Sequence, residues 1–296
     1  MIRFTTGTDP EFFLFDGKEI ISAIPIIPGT KFQPICMPSG GGLQHDNVLL
    51  EFSTPPSNSL KSFVESIRNS MIEATIYLPP NIKMVAIPST TLSPTQLKDM
   101  DASRFGCDPD MDAWTECQNP TPHAPKGFRS GGAHIHIGSK KELETAFILD
   151  FERKMEFIKT MDYIIGIIST FLDFSSDAIK RKRLYGKAGS FRVTDYGIEY
   201  RVLSNFWMKS PKCVEMIYYL IIDCFHIFMR NEGMPPEIAG NEEKIITTIN
   251  SGDIKTALDM YNTELKRNLN ESSIKSIEMV KRELSSYDLY KEWKIG

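Results

Sequence analysis

The sequence predicts an α+β protein built on a largely antiparallel sheet. Three observations carry this expectation. The first half consists of short apolar runs broken by Gly and Pro. The second half is dominated by longer stretches with apolar residues at helical spacing. Two strand-like pieces, 189–194 and 197–204, sit inside that helical half, so no regular alternation of strand and helix develops.

In chain order, strands are expected at 2–6, 11–15, 19–24, 48–53, 83–88 and 133–137. A helix is expected over 59–77, where NSLKSFVESIRNSMIEATIYL opens on a capping Asn or Ser. Residues 140–172 read as one long amphipathic helix after Gly138-Ser139. Helical spacing recurs at 210–231, 241–250, 253–266 and 271–286. The stretch 101–132 has no period but holds Trp114, Phe105 and Phe128. A long loop with such residues is expected to serve a substrate rather than to be disordered. No repeat or linker divides the 296 residues, so one domain is expected over 1–296, helical from about 208.

Composition sets limits. The net charge of −4 and pI near 5.8 do not fit a polybasic nucleic-acid binder. The most apolar stretch, 213–229, is interrupted by Glu215, Asp223 and His226, which favours a buried helix over a membrane span. The start of the chain does not have the form of a secretion signal. Five scattered cysteines without a Cys-x-x-Cys pair form neither a disulfide framework nor a zinc knuckle. A reduced cytoplasm is the expected compartment.

The chemistry concentrates on one face of the expected strands. In GTDPEFFLF, Asp9 and Glu11 stand two apart, so in a strand they share a side. In HDNVLLEF, Glu51 lies in an apolar strand with Asp46 just before it. In GGAHIHIG, His134 and His136 share a face against Ile135 and Ile137. In GIEYRVL, Glu199 and Arg201 share a face against Ile198 and Tyr200. A merely solvated face would favour Lys, Thr and Ser. Carboxylates with imidazole instead suit Mg²⁺ or Mn²⁺, in a cluster of two or three ions. The stretch KRKRLYGKAGSFRV adds Arg181, Arg183, Lys187 and Arg192 around Gly186 and Gly189. Glycines admit phosphate to the backbone and guanidinium groups bind it bidentately. In the long loop, Asp108, Asp110 and Asp112 could hold a cationic amine, with Trp114 as a wall.

Taken in order, GTDPEFFL, HDNVLLEF, GCDPDMDAW, GGAHIHIG, YGKAGSFR and GIEYRVLSNFW resemble the phage-type COOH–NH2 ligases, type 2. These belong to the glutamine-synthetase-like carboxylate–amine ligases. The resemblance spans about residues 7–207. It implies an active site on an antiparallel sheet, flanked by helices, that uses ATP and two or three Mg²⁺ or Mn²⁺ ions. It implies metal roles for Asp9, Glu11, Asp46, Glu51, His134 and Glu199. It places His136, Lys187, Arg183 and Arg192 by the nucleotide, and gives Arg201, Arg192 and Glu199 to catalysis. Asp9 departs from the superfamily's usual Glu and shortens the reach. The implied reaction activates a carboxylate as an acyl phosphate, which an amine then opens to an amide or peptide-like bond. The host-cell cytoplasm follows if the chain is phage-encoded. The acid and amine stay open among small molecules, peptides and modified bases.

Two other readings compete. A metal-dependent hydrolase would use the imidazoles and acids to activate water. It leaves the basic stretch 181–192 without a task. A silent binding module would show a broken metal set, and the set is whole.

Overall fold

Pro10 divides the first acidic segment. A residue without an N–H cannot continue a ladder, and the expected strands 2–6 and 11–15 form as Thr5–Thr8 and Glu11–Phe15 on either side of Asp9-Pro10. In the computed structural model, which describes residues 2–103 and 110–295, the two pieces enter different sheets. One sheet runs Thr5–Thr8, Ile135–Gly138, Gly197–Tyr200, Ser190–Thr194, Met111–Asp112 and Cys117–Gln118 in spatial order. The other runs Ile20–Ile21, Glu11–Phe15, Leu49–Phe52, Gly42–Asp46 and Ile35–Cys36. Lys83–Val85 also pairs with Glu11–Phe15. The strand pairs of both sheets are antiparallel, as expected.

Register places the polar residues. His136 faces Glu199, and Glu199 faces Arg192 on its other side. In the second sheet Glu11 faces Glu51, which faces Gln44. Apolar partners fill the opposite faces: Ile135, Ile137, Ile198 and Phe191 are wholly buried.

The helices cover these buried faces. Leu60–Thr75 starts in a capping box of Ser59 and Ser62. Pro211–Arg230 is capped by Ser210 with Pro at its first turn, and its row of Met216, Ile217, Leu220, Ile221 and Phe228 is wholly buried. Burying each such side chain contributes about 1.5–3 kcal/mol. Asp223 interrupts the row without strain, because Asn270 donates to it from Nδ2 at 2.6 Å. Among the described residues, no helix is long and apolar enough to cross a membrane.

The single helix expected over 140–172 does not form. Asp150 has extended backbone and accepts from Arg153 N at 3.0 Å, so it starts a new helix at Phe151. Ahead of it is only a 3₁₀ turn, Ala146–Leu149. After Met161 the chain widens into a π turn over Asp162–Gly166 and resumes as an α-helix at Ile167. The expected strand 197–204 stops at Tyr200. The long loop is partly ordered as the Met111–Asp112 and Cys117–Gln118 hairpin. Phe128–Ser130 pairs with Ser89–Thr91. The basic run does not form one loop either. Lys180–Arg183 lie in the helix Ser176–Leu184, and only the turn around Gly186 and Gly189 separates it from the next strand.

Candidate active site

The site begins with two glycines. Glu11 donates its N–H to Gly132 O at 2.9 Å, and Gly132 N donates to Glu11 Oε2 at 2.8 Å. A Cβ on Gly132 would lie 2.8 Å from His134 Nε2, and one on Gly131 would lie 2.6 Å from Asn205 Nδ2. Only glycine lets this backbone pass between the head of the Glu11 strand and the His134 ring.

Both histidines point at Asp9. His134 Nδ1 lies 2.9 Å from Asp9 Oδ1, and His136 Nε2 lies 3.2 Å from the same oxygen. Glu199 Oε1 is 3.8 Å from His134 Nδ1. Asp9, His134 and Glu199 therefore form one set, with a ligand atom from each within 4.8 Å of the others. Glu11, Asp46 and Glu51 form a second set by the same measure. The two sets take one residue each from the Asp9-Pro10-Glu11 segment. Among the described residues, the acids and imidazole expected to share metal ions converge in these two groups.

Their electrostatics differ. Burial alone would raise the Asp9 pKa, but the two imidazoles outweigh it and hold the carboxyl well below its ordinary range. Glu199 is likewise lowered, because His134, Arg201 and Arg192 overcome its burial. In the second set burial dominates. Glu11 is pushed up to about 7 by burial, with Asp46 adding repulsion against the pull of His134 and Arg201. Glu51 is pushed well above its ordinary range by burial and by Asp9, Asp46 and Glu11. Its one amide partner is Gln44 Nε2 at 3.2 Å.

Arg201 ties the first set to the long loop. Its side chain is buried; Nη1 contacts His134 Nδ1 at 3.0 Å and pairs closely with Glu199 Oε1, while Nε lies 2.7 Å from Asp110 Oδ1. Arg192 Nη1 donates to Glu199 Oε1 at 3.1 Å. A cleft of about 1120 Å³, counting its open mouth, lies against this network and is lined in part by Glu11, Asp46, Asp110, His134, Arg201 and Lys187.

The other expected residues divide. His136 is not among the residues that line the cleft; it shares its Nδ1 with Tyr196 Oη at 2.5 Å, and Asp9 raises its pKa against the effect of burial. Asp108, Phe105 and Cys107 lie outside the described residues. Asp112 does not face the cleft. Its oxygens accept from Trp114 N at 2.8 Å and Thr115 Oγ1 at 3.0 Å, so it caps a local turn. Asp112→Ala is expected to cost about 1 kcal/mol in thermal unfolding and to leave substrate KM values unchanged. Trp114 does not line the cleft either; its indole N–H donates inward to Asp162. Arg183 is exposed on its helix and outside the cleft, whereas Arg181, two residues earlier, is buried and lines it.

Sequence reasoning missed the weight of Arg181, Arg129 and Tyr196. Arg181 is legible once the run is read as a helix, since Ala178, Arg181 and Lys182 fall at i, i+3 and i+4 and are its buried residues. Arg129 is buried, donating to Asn47 Oδ1 at 2.7 Å and Phe128 O at 2.6 Å. Nothing in its loop marked it. Tyr196 sits in the tight turn between the strands of Arg192 and Glu199.

A model of the phage phiEco32-like COOH.NH2 ligase-type 2 family matches residues 122–294. The chain belongs to this family. As a member it is an enzyme of the carboxylate–amine ligase type, which joins the two groups through a C–N bond. No curated protein sequence matches this ligase. Its structure is similar to glutamate–cysteine ligase from Francisella tularensis, solved with AMP, at a TM-score of 0.57 and 9% identity, covering 99% of this chain and 83% of that one. At that identity the likeness establishes a shared glutamine-synthetase-like fold. The ligase PafA, solved with the prokaryotic ubiquitin-like protein Pup, aligns at a TM-score of 0.44 and 12% identity over 98% of this chain and 65% of that one. That score is too low to carry an argument.

Proposed function

We propose that the protein is an ATP-dependent carboxylate–amine ligase acting through an acyl phosphate, with Mg²⁺ or Mn²⁺ at Asp9–His134–Glu199 and at Glu11–Asp46–Glu51. The observation that carries this reading is the pair of donor sets that take Asp9 and Glu11, two residues apart, one into each set, with Arg201 against the first. The donors fit hard cations. Three carboxylates crowd together at Glu11, Asp46 and Glu51, and burial and repulsion from neighbouring acids disfavour the ionised forms of Glu11 and Glu51 without a counter-charge. Ions held by these residues would supply charge neutralisation for the phosphates of ATP.

The chain's own residues supply the rest. Arg201 and Arg192 stand beside Glu199, where guanidinium groups can stabilise charge on the transferred phosphoryl group. Lys187, in the Gly186–Gly189 turn, faces the cleft and is placed for the phosphates. The substrate carboxylate attacks the γ-phosphorus and ADP leaves. The amine nitrogen then attacks the acyl carbon, phosphate departs, and the amine loses a proton. Asp110 faces the same cleft beside Arg201 and is the described aspartate of the long loop that can hold the incoming amine.

The reading is tested by supplying ATP with libraries of acids and amines and measuring ADP and condensed product. ADP release that needs both an acid and an amine supports it. Metal-dependent hydrolysis without ATP would overturn it. Asp110→Asn is expected to raise the amine KM about tenfold, corresponding to about 1.4 kcal/mol of lost interaction, with a smaller effect on the ATP KM. Equal effects on both would remove Asp110 from amine binding.

A further inference from the structure

One buried carboxylate lies behind the site and does not face the cleft. Asp162 is 0% exposed. Its Oδ2 accepts from Trp114 Nε1 at 2.6 Å and from Gly189 N at 2.5 Å; its Oδ1 accepts from Tyr200 Oη at 2.7 Å. The three donors belong to three separate segments. Trp114 is in the hairpin that follows Asp110. Gly189 lies between Lys187 and Arg192, and Tyr200 between Glu199 and Arg201.

The segments are fitted to one another at this point. Ala113 N donates to Gly189 O at 3.0 Å. Phe191 faces Met111 on one side and Tyr200 on the other. Gly189 has φ +76°, and a Cβ there would lie 2.3 Å from Asp112 Oδ1 and 2.6 Å from Trp114 Cδ1. The helix itself yields here. Its π turn starts at Asp162 and ends at Gly166, where a Cβ would lie 3.2 Å from Tyr200 Oη. A π turn inside an α-helix forgoes regular hydrogen bonding and is frequent at functional sites.

We propose that Asp162 is a positioning residue for the ligase reaction. It latches the Trp114 hairpin and the Gly186–Gly189 turn onto the strand of Glu199 and Arg201, and so fixes Asp110 and Lys187 at the cleft and Arg192 beside Glu199. The catalytic consequence rests on the proposed function; the latch rests on geometry alone. Indole and backbone N–H groups can only donate, so both need an acceptor at Oδ2. Tyr200 Oη can donate or accept. An asparagine can therefore serve, with its amide oxygen at the two N–H groups and its NH2 toward Tyr200. A leucine of similar size leaves buried donors without partners.

The test compares Asp162→Leu, Asp162→Asn and Trp114→Phe by amide hydrogen exchange and by calorimetric titration with MgATP. In Asp162→Leu, amides of 111–118 and 186–190 should exchange about tenfold faster, and MgATP affinity should fall by about tenfold, the scale of an unmade buried hydrogen bond. Amides of 211–230 should not change. Asp162→Asn should stay within about twofold of wild type on both measures. Trp114→Phe should speed exchange in 111–118 alone. Unchanged exchange in Asp162→Leu would overturn the latch. So would equal acceleration in 211–230, which marks a general core residue. Asp162→Asn failing as Asp162→Leu does would overturn it too, since charge rather than bonding would then matter. If Asp162→Leu does not fold, Asp162→Asn and Trp114→Phe decide. Wild-type protein that does not bind MgATP would sink the proposed function, while the exchange measurements would still judge the latch.

Discussion

Arg201→Lys is expected to cut turnover by about 10³-fold, the scale of a guanidinium acting on a transferred phosphoryl group. The charge survives this change, but the planar fork does not. That fork matters here because Arg201 serves several partners at once, among them Asp110 Oδ1 beside Nε, and His134 Nδ1 and Glu199 Oε1 at Nη1. A single ammonium cannot occupy both positions. The side chain is buried, so removing its charge altogether would strand Asp110, leave Glu199 to Arg192 and His134, and destabilise the fold by about 3–5 kcal/mol. Lysine avoids most of that cost, which is why it separates catalysis from folding. The measurements are single-turnover ADP formation, MgATP binding and thermal unfolding. A variant that unfolds, or that loses MgATP binding while keeping its turnover, would reduce Arg201 to a structural ion pair.

Glu51→Gln is expected to move stability and function in opposite directions. Glu51 faces Glu11 across the ladder, and like charges in that position repel. Replacing it should weaken Mg²⁺ or Mn²⁺ binding by of the order of tenfold or more, since affinity follows ligand charge. It should also stabilise the metal-free protein near neutral pH. The sign follows from the shifts. Glu11 and Glu51 have folded pKa values raised above their ordinary range, Glu11 to about 7. Each contributes stability that is fully present below the unfolded pKa near 4.5 and is lost as pH rises through the folded value. For Glu11 that loss amounts to about 3 kcal/mol. Asp9 and Glu199 are lowered, so their contribution is lost instead as pH falls. Melting curves in EDTA from pH 5 to 8 should decline for the wild type and be flatter for Glu51→Gln. Added Mg²⁺ should restore the wild type more than the variant. A variant less stable than wild type at pH 8 in EDTA would show that the second set is not strained by its own charge.

Much of the site is legible because strand alternation is short-range. Ile135 and Ile137 against His134 and His136, or Ile198 against Glu199, announce a buried and a polar face without knowledge of the fold. Convergence of those faces then follows from residue chemistry, since solvent needs no imidazole beside a carboxylate. The division at Pro10 is legible too, as proline cannot hold a ladder and the expected strands 2–6 and 11–15 lie on either side of it. That the two pieces enter different sheets is not legible, because Asp9 and Glu11 satisfy the two-residue period across it. Other features depend on partners far away in sequence. The strands Met111–Asp112 and Cys117–Gln118 are two residues each, too short to show a period. Asp112 and Trp114 looked like substrate residues because their actual partners, Thr115 and Asp162, follow from a turn and from tertiary packing. Read as a loop, the basic run gives no face that distinguishes Arg183 from Arg181; as a helix it buries Arg181. The helix expected over 140–172 ignored Asp150, whose capping preference competes with its helical one.

The Asp9-Pro10-Glu11 segment has a mechanical meaning. It is a covalent bridge between the two sheets, and each of its acids belongs to a different donor set. Two residues apart, the Cα atoms of Asp9 and Glu11 cannot separate by more than about 7 Å whatever the sheets do. A hinge between the sheets can therefore change the angle between the two proposed ion positions far more readily than their spacing. The segment works as a ruler, and proline makes it a stiff one.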